Sequence, residues 1–224
     1  SHTPEVLEHE GIMVRFGKVT FIDNHTAEQD GERITFKHAF ITTGSEPLIP
    51  SIDGLHEINY WTNQTIFSID TIPQSLIIIG GGAIGCEMAS AFNMLGSAVT
   101  IIEQNETILQ NDDQELTAFL AKQMKSRGIA IQTNAQAKKI EQKNQQITVS
   151  VEQGKSTQSF NASHVLVAVG RKPRLSELHL EKAGVAFDNR GIMVDKTMRT
   201  TASNIYGAGD VVGPYLFSHM AWHQ

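Results

Sequence analysis

The chain has 224 residues, 40% of them hydrophobic, with 18 Lys and Arg against 24 Asp and Glu and a formal net charge of −6. That length suits one large or two ordinary domains, and the acidic balance offers no electrostatic footprint for nucleic acid or for an anionic membrane. Apolar stretches are broken by glycine or charge well short of a bilayer span and no cationic segment precedes an apolar one, so a cytoplasmic location is the expectation.

Ser1 to Glu10 is polar, and Pro4 to Glu8 reads as the tail of a helix. Ile12 to Ile22 alternates in Val14, Phe16, Val19 and Phe21; Asn24-His25 then turns the chain, and Asp30-Gly31 is a hairpin signal before Arg33 to Lys37. These pieces predict an antiparallel meander. Ala39 to Thr42 is a short apolar strand that runs into Thr43-Gly44-Ser45-Glu46-Pro47, after which Pro47, Pro50 and Gly54 enforce an extended linker.

The run Leu76 to Ile79 is short and mostly β-branched, as a parallel strand buried on both faces requires. It ends in Gly80-Gly81-Gly82-Ala83-Ile84-Gly85, a G-x-G-x-x-G in which Gly80 makes the turn, Gly82 lets backbone approach a pyrophosphate and Gly85 lets helix and strand pack closely. N–H groups at the helix start then face the phosphates. Ile84, Met88, Ala91, Phe92 and Leu95 form an apolar helical face that Gly96 stops. Ala98 to Ile102 is the next strand. Glu103 follows 18 residues after Gly85, where a carboxylate accepts both ribose hydroxyls of an adenosine and repels a 2′-phosphate. A lone glycine fingerprint is weak; strand, helix, second strand and terminal acid together point to a dinucleotide.

The single cysteine, Cys86, excludes an intrachain disulfide and a thiolate metal cluster. It lies behind the glycines, where a helix start can lower a thiol pKa, but tight packing is the expected role and no catalytic one is assigned. Further on, Asp112 to Arg127 is a helix with the stripe Leu116, Phe119, Leu120 and Met124, capped by Gly128. Ile129 to Gln132 is a third strand. Ile140, Ile147 to Val151 and Gln158 to Phe160, separated by Asn144-Gln145 and Gly154-Lys155, read as three antiparallel strands before Val165 to Val169 returns to the sheet. Gly184 to Val194 gives a hairpin around Asn189-Arg190-Gly191, and Ile205 to Asp210 ends in an aspartate placed either to hold a sugar hydroxyl or to cap the next turn. A last helix starts near Ser218.

Four signatures thus stand in fixed order: Thr42-Thr43-Gly44-Ser45-Glu46-Pro47, Gly80 to Glu87, Val167-Ala168-Val169-Gly170-Arg171-Lys172-Pro173, and Ile205 to Asp210. Together they resemble the pyridine nucleotide-disulfide oxidoreductases over nearly the whole chain. Tyr60-Trp61-Thr62-Asn63 and GGGAIGCE are most similar to the mercuric-reductase-like flavoproteins, with dihydrolipoamide dehydrogenases close behind. The resemblance implies an α/β fold in which a Rossmann-type NAD-binding domain, a parallel sheet plus an antiparallel three-stranded meander, is inserted in an incomplete FAD-binding domain. Residues 1–53 and 174–224 would be the split FAD part and 54–173 the NAD(P) part. It places FAD at Gly17, Thr43, Gly44, Ser45 and Asp210, with the Leu216 to His219 stretch near its ring and ribitol. The nicotinamide cofactor falls to Gly80, Gly81, Gly82, Ala83, Ile84, Gly85, Glu87, Glu103, Ala137 and Gly170. Glu87 matches a glutamate close to nicotinamide and flavin, although alone it reads as a first-turn acid favoured by the helix dipole. Arg171 matches an arginine beside the flavin.

The family's first glycine fingerprint and redox-active cysteine pair would lie before Ser1, and its dimerisation domain with the acid–base His and Glu after Gln224. An internal fragment of an enzyme is therefore the expectation, with a homodimer for the whole protein. The implied activity passes hydride between a nicotinamide and flavin and on to a disulfide or metal-bound thiolate. The competing class is a non-catalytic module that binds NAD as a sensor; a Cys-x4-Cys pair upstream would decide for the enzyme. A short-chain alcohol dehydrogenase fails, because the residues four after Tyr60, Tyr206 and Tyr215 are Gln64, Asp210 and His219, not lysine. With half the expected flavin site lacking, the absorption spectrum of the purified 224-residue chain should show little or no flavin, and stoichiometric yellow cofactor would overturn the fragment expectation.

Overall fold

The structure is a computed structural model describing residues 3–214 and 216–224; Ser1, His2 and Tyr215 lie outside the described residues. The chain divides into two compact units, Ser1–Glu46 with Lys172–Gln224, and Pro47–Arg171. The sequence reading sets the crossings at 53/54 and 173/174, whereas the compact units divide at 46/47 and 171/172. Ile52, Leu55 and Ile58 account for the first difference: all three are buried in the core of the second unit, so the proline-rich stretch packs with it.

Helix α1 (Pro4–His9) has proline in its first turn, where the missing N–H costs nothing. Strands β1 (Val19–Phe21), β2 (Thr26–Gln29) and β3 (Glu32–Thr35) form the antiparallel meander. Asp30 and Gly31 both have positive φ, 51° and 86°, as a two-residue hairpin turn demands. The strand expected from Ile12 starts only at Val19. Val19 faces Gln29, the last residue of β2 before that turn, so earlier residues have no β2 partner; Met13 and Phe16 are exposed instead. Next come β4 (Ala39–Ile41) and β5 (Ser45–Pro47).

In the second unit β6 (Ser75–Ile79), α2 (Ala83–Met94), β7 (Ala98–Ile102), α3 (Gln114–Ser126) and β8 (Ala130–Gln132) alternate. A meander of β9 (Ala135–Lys143), β10 (Gln146–Gln153) and β11 (Ser156–Ala162) follows, then β12 (His164–Val167). The parallel sheet has the order β12-β6-β7-β8. Alternation along β6 sorts its side chains: Ile77 and Ile79 pack with Ile140, Ile147, Val149 and Val151 of the meander, and Leu76 and Ile78 pack with Cys86, Ala89, Phe92 and Met124 of the helices. Both faces being covered, the strand carries no polar side. The isolated bridge Trp61–Leu166 covers the outer edge of β12.

Both helices bury part of the apolar stripe that periodicity marks and leave the rest of it exposed. In α2 the buried residues are Gly85, Cys86, Ala89 and Phe92, with Met88 packed beside them, while Leu95, just past the helix, is exposed. In α3 Thr117 and Met124 are buried, whereas Leu116 and Phe119 are 69% and 63% exposed. Asp113 fixes the start of α3 as N-cap, accepting the N–H groups of Glu115 (3.0 Å) and Leu116 (3.1 Å).

The first unit resumes at Lys172, within β13 (Arg171–Pro173), which pairs with β5, and continues with β14 (Phe187–Asp188), β15 (Gly191–Ile192), β16 (Ile205–Gly207) and α4 (Ser218–His223). β16 lies parallel to β4. Phe21, Ile41, Leu180, Val185, Ile192, Ile205 and Val211 form this unit's core. Among the described residues no helix is long and apolar enough to cross a membrane.

The helix faces predict opposite responses to truncation. Met124→Ala should cost about 2 to 5 kcal/mol in urea unfolding through the cavity it leaves, and Phe119→Ala should stay within about 0.5 kcal/mol. Comparable losses from both would restore the stripe inferred from periodicity.

Candidate functional site

The order of the parallel sheet reverses between β6 and β12, and open sheets of this kind hold ligands outside the carboxyl ends of their strands at such a reversal. Gly80 to Gly82 leave β6 there, and Gly170 follows β12 at the same end. Three glycines of the turn are explained by the protein. Gly80 has φ +109°, and a Cβ on it would overlap the carbonyl oxygen of Ala168. On Gly81 a Cβ would lie 2.8 Å from Ile108 Cγ2 and 3.1 Å from Glu103 Oε2, and on Gly85 it would overlap the carbonyl oxygen of Gly80.

Gly82 is different. Its φ of −75° and ψ of −173° suit any residue, and nothing lies within 4 Å of where its Cβ would be. As N-cap of α2 it offers no side chain to the helix, whose first backbone bond runs from the Cys86 N–H to the Gly82 carbonyl at 2.9 Å. The N–H groups of Ala83, Ile84 and Gly85 therefore have no partner within the helix, and Gly82 and Ala83 are exposed. An open backbone cradle of this kind suits a pyrophosphate. Glu87 lies exposed one turn further on.

Glu103, the residue after β7, is 6% exposed. Its Oε2 accepts the Gly81 N–H at 2.6 Å and its Oε1 the Asn105 N–H at 2.7 Å. Each oxygen keeps a second acceptor site for a ribose hydroxyl. Beside it, Gln104, Asn105, Asn134, Gln136, Glu152 and Gly154 line a polar depression. Ala137 stands opposite Val151, with its methyl in the apolar core. Gly170, exposed at φ +133°, accepts the Leu48 N–H at 3.0 Å, and half-buried Arg171 opens β13.

In the first unit β4 and β16 run side by side, and the Ala208 N–H donates to the Ile41 carbonyl at 3.1 Å. The segments that leave them, Thr43-Gly44-Ser45 and Gly209-Asp210, therefore emerge together. The buried Ser45 hydroxyl donates to Asp210 Oδ2 at 2.5 Å. Gly44 has φ +68° and open space at its Cβ position. Thr43 Oγ1 donates to the Arg174 carbonyl at 3.0 Å, and the Arg174 N–H to the Gly44 carbonyl at 2.9 Å. Gln224 Oε1 accepts the Gly209 N–H at 2.7 Å, tying the end of α4 to the Asp210 turn. Leu216 is half-buried, and the exposed His219 stacks on Phe217 at 5.4 Å between ring centroids. Gly17 lies against the hairpin turn of the meander, where a Cβ would overlap the Asp30 carboxylate.

Sequence alone does not reveal the hydrogen-bonded partners within these clusters. Ser45 and Asp210 are 165 positions apart, Thr43 and Arg174 131, and no local pattern links them. The reason for glycine at position 81 is also hidden there, since it depends on Ile108 folding back over the turn.

Burial pushes the Cys86 thiol up to about 11, with Glu103 and Glu87 adding to the effect, and its S–H points at the Gly81 carbonyl at 3.4 Å. The neutral thiol is the form the fold favours. Its contribution to stability is present below about pH 9 and is lost as pH rises through about 11. At pH 8 the folded chain should react with iodoacetamide on the order of 100-fold more slowly than a free cysteine; labelling at the free-cysteine rate would mean a lowered thiol pKa or an open helix start.

The chain as a whole has relatives among known proteins. The profile of the pyridine nucleotide-disulphide oxidoreductases matches residues 3–224. A mercuric reductase of Staphylococcus aureus is 32% identical over 212 residues, 94% of this chain and 39% of that protein. A dihydrolipoyl dehydrogenase of Staphylococcus aureus is 37% identical over 226 residues, 98% of this chain and 48% of that protein. The HOCl-induced flavoprotein disulfide reductase RclA from Escherichia coli superposes with a TM-score of 0.90 at 30% identity, covering 98% of this chain and 50% of that one. The chain thus spans half or less of the length of these relatives. By the extent of the family match, the chain belongs to the pyridine nucleotide-disulphide oxidoreductases.

Proposed function

We propose that the chain carries nucleotide-binding parts of an FAD-dependent oxidoreductase, with NADH held by the second unit and FAD by residues of the first. The observation that carries the reading is Gly82, a glycine that neither its backbone conformation nor its neighbours require, placed at the open start of α2. A bound pyrophosphate would accept from the N–H groups of Ala83, Ile84 and Gly85, where the helix dipole favours negative charge. Glu103 would accept from the adenosine ribose, Gly170 would lie along the cofactor, and the Ala137 backbone would border it. Asp210, oriented by Ser45, would hold a hydroxyl of the flavin side chain, with Thr43 and Gly44 beside it.

When bound, the nicotinamide supplies a hydride and the flavin accepts it. The chain's own residues bind and orient. Mercuric reductase, dihydrolipoyl dehydrogenase and disulfide reductase, the named activities of the relatives, support a disulfide or metal-bound thiolate as the onward acceptor; a homodimer as the working form of the whole protein is what the family resemblance implies. The one cysteine here is buried and protonated, so it supplies no dithiol for that step.

Coenzyme choice follows from charge. A 2′-phosphate within about 4 to 6 Å of the Glu103 carboxylate costs on the order of 1 to 3 kcal/mol, so NADH should bind ~10- to 100-fold more tightly than NADPH. Gly82→Ala should leave thermal stability nearly unchanged yet weaken NADH by about tenfold or more, since its methyl occupies the cradle. Calorimetric titration of both nucleotides tests this: equal or tighter NADPH binding to the wild type sinks the coenzyme assignment, and unchanged NADH affinity in Gly82→Ala sinks the cradle.

A further inference from the structure

The peptide at Gly81 is held from both sides. Its N–H donates to Glu103 Oε2 at 2.6 Å, and its carbonyl accepts the Leu109 N–H at 2.9 Å. The other Glu103 oxygen takes the Asn105 N–H at 2.7 Å. The Glu103 backbone is tied in turn, its N–H to the Gln132 carbonyl at 2.8 Å and its carbonyl to the Ala135 N–H at 2.9 Å. The Glu103 carboxylate therefore joins the glycine turn to the loop after β7, while its backbone ties both to the start of the meander.

Three consecutive glycines, Gly80 to Gly82, have more conformational freedom to lose than any other tripeptide. If that freedom were lost only when a nucleotide bound, affinity would fall by the cost of ordering the turn. A charge-assisted hydrogen bond from the Gly81 N–H to a carboxylate that is 6% exposed orders it beforehand. We propose that Glu103 is a positioning residue: through Gly81 and Asn105 it holds the turn in its nucleotide-ready shape in the unliganded protein, in addition to any contact with the ribose. This rests on the nicotinamide reading above.

The two roles separate by substitution. Glu103→Gln keeps one acceptor oxygen but turns an NH2 group toward a backbone N–H donor, and Glu103→Asp keeps the charge but is one methylene too short to reach both partners. In 15N-labelled chain without nucleotide, the wild-type Gly81 and Asn105 amides should exchange slowly. Each variant should speed Gly81 exchange about 10- to 100-fold while the Val149 amide, in the middle of β10, holds its protection. Both variants should also lose affinity for NADH and for NADPH, whereas a residue that only reads the ribose would lose NADH alone and gain on NADPH in Glu103→Gln. Fast Gly81 exchange in the wild type, or unchanged exchange in both variants, overturns the positioning role even where nucleotide binds. A wild type with a protected Gly81 that binds neither nucleotide overturns the nicotinamide reading, and the positioning role with it.

Discussion

The strand Leu76 to Ile79 has no side that tolerates water, and the second unit is arranged around that constraint. Two covers are required. The helices supply one through Cys86, Ala89, Phe92 and Met124, and the antiparallel meander supplies the other through Ile140, Ile147, Val149 and Val151. With both faces closed, the carboxyl end of the strand is the place where backbone can meet a ligand, and there the chain sets three glycines in succession. Burial on two faces and an open end are thus one consequence of the same apolar run.

The glycines divide by what would meet a Cβ. Gly80, Gly81 and Gly85 are required by carbonyls and side chains of the protein itself, and Gly82 is not. A purely structural turn would account for the first three and leave the fourth free to vary. The open position is also the N-cap of a twelve-residue helix without a side-chain cap, so the unmet backbone donors and the unneeded glycine coincide. That coincidence is what the proposed ligand cradle rests on, beyond a tight strand-to-helix turn.

Much of this was legible from period and punctuation. Asp30-Gly31, Asn144 and Gly154 mark hairpin turns that occur with positive φ, and alternation from Ile147 to Val151 gives the buried face of β10. What periodicity could not reveal was which helical face the sheet would accept. Leu116, Phe119 and Leu95 of the apolar stripes are exposed, whereas Phe92 and Met124 of the same stripes are buried together with Thr117, Ala89 and Gly85, so the sheet takes one edge of each stripe rather than its centre. Partners across long separations, Ser45 with Asp210 above all, leave no local trace, since they depend on two parallel strands ending side by side.

The two carboxylates at the candidate sites follow one physical logic by different routes. Glu103 is held by backbone N–H groups of loops that flank its strand, and Asp210 by the hydroxyl of a buried serine from another strand end. In both cases a carboxylate at the end of a parallel strand is oriented by donors of the protein rather than by solvent. Such a carboxylate has lost part of its rotational freedom and hydration before any hydroxyl of a ligand arrives, so less ordering remains to oppose binding. The thiol of Cys86 shows the converse: with the same glycine turn closing over it and two carboxylates nearby, its charged form is disfavoured, and the environment that prepares a carboxylate to bind keeps the sulfur protonated and inert.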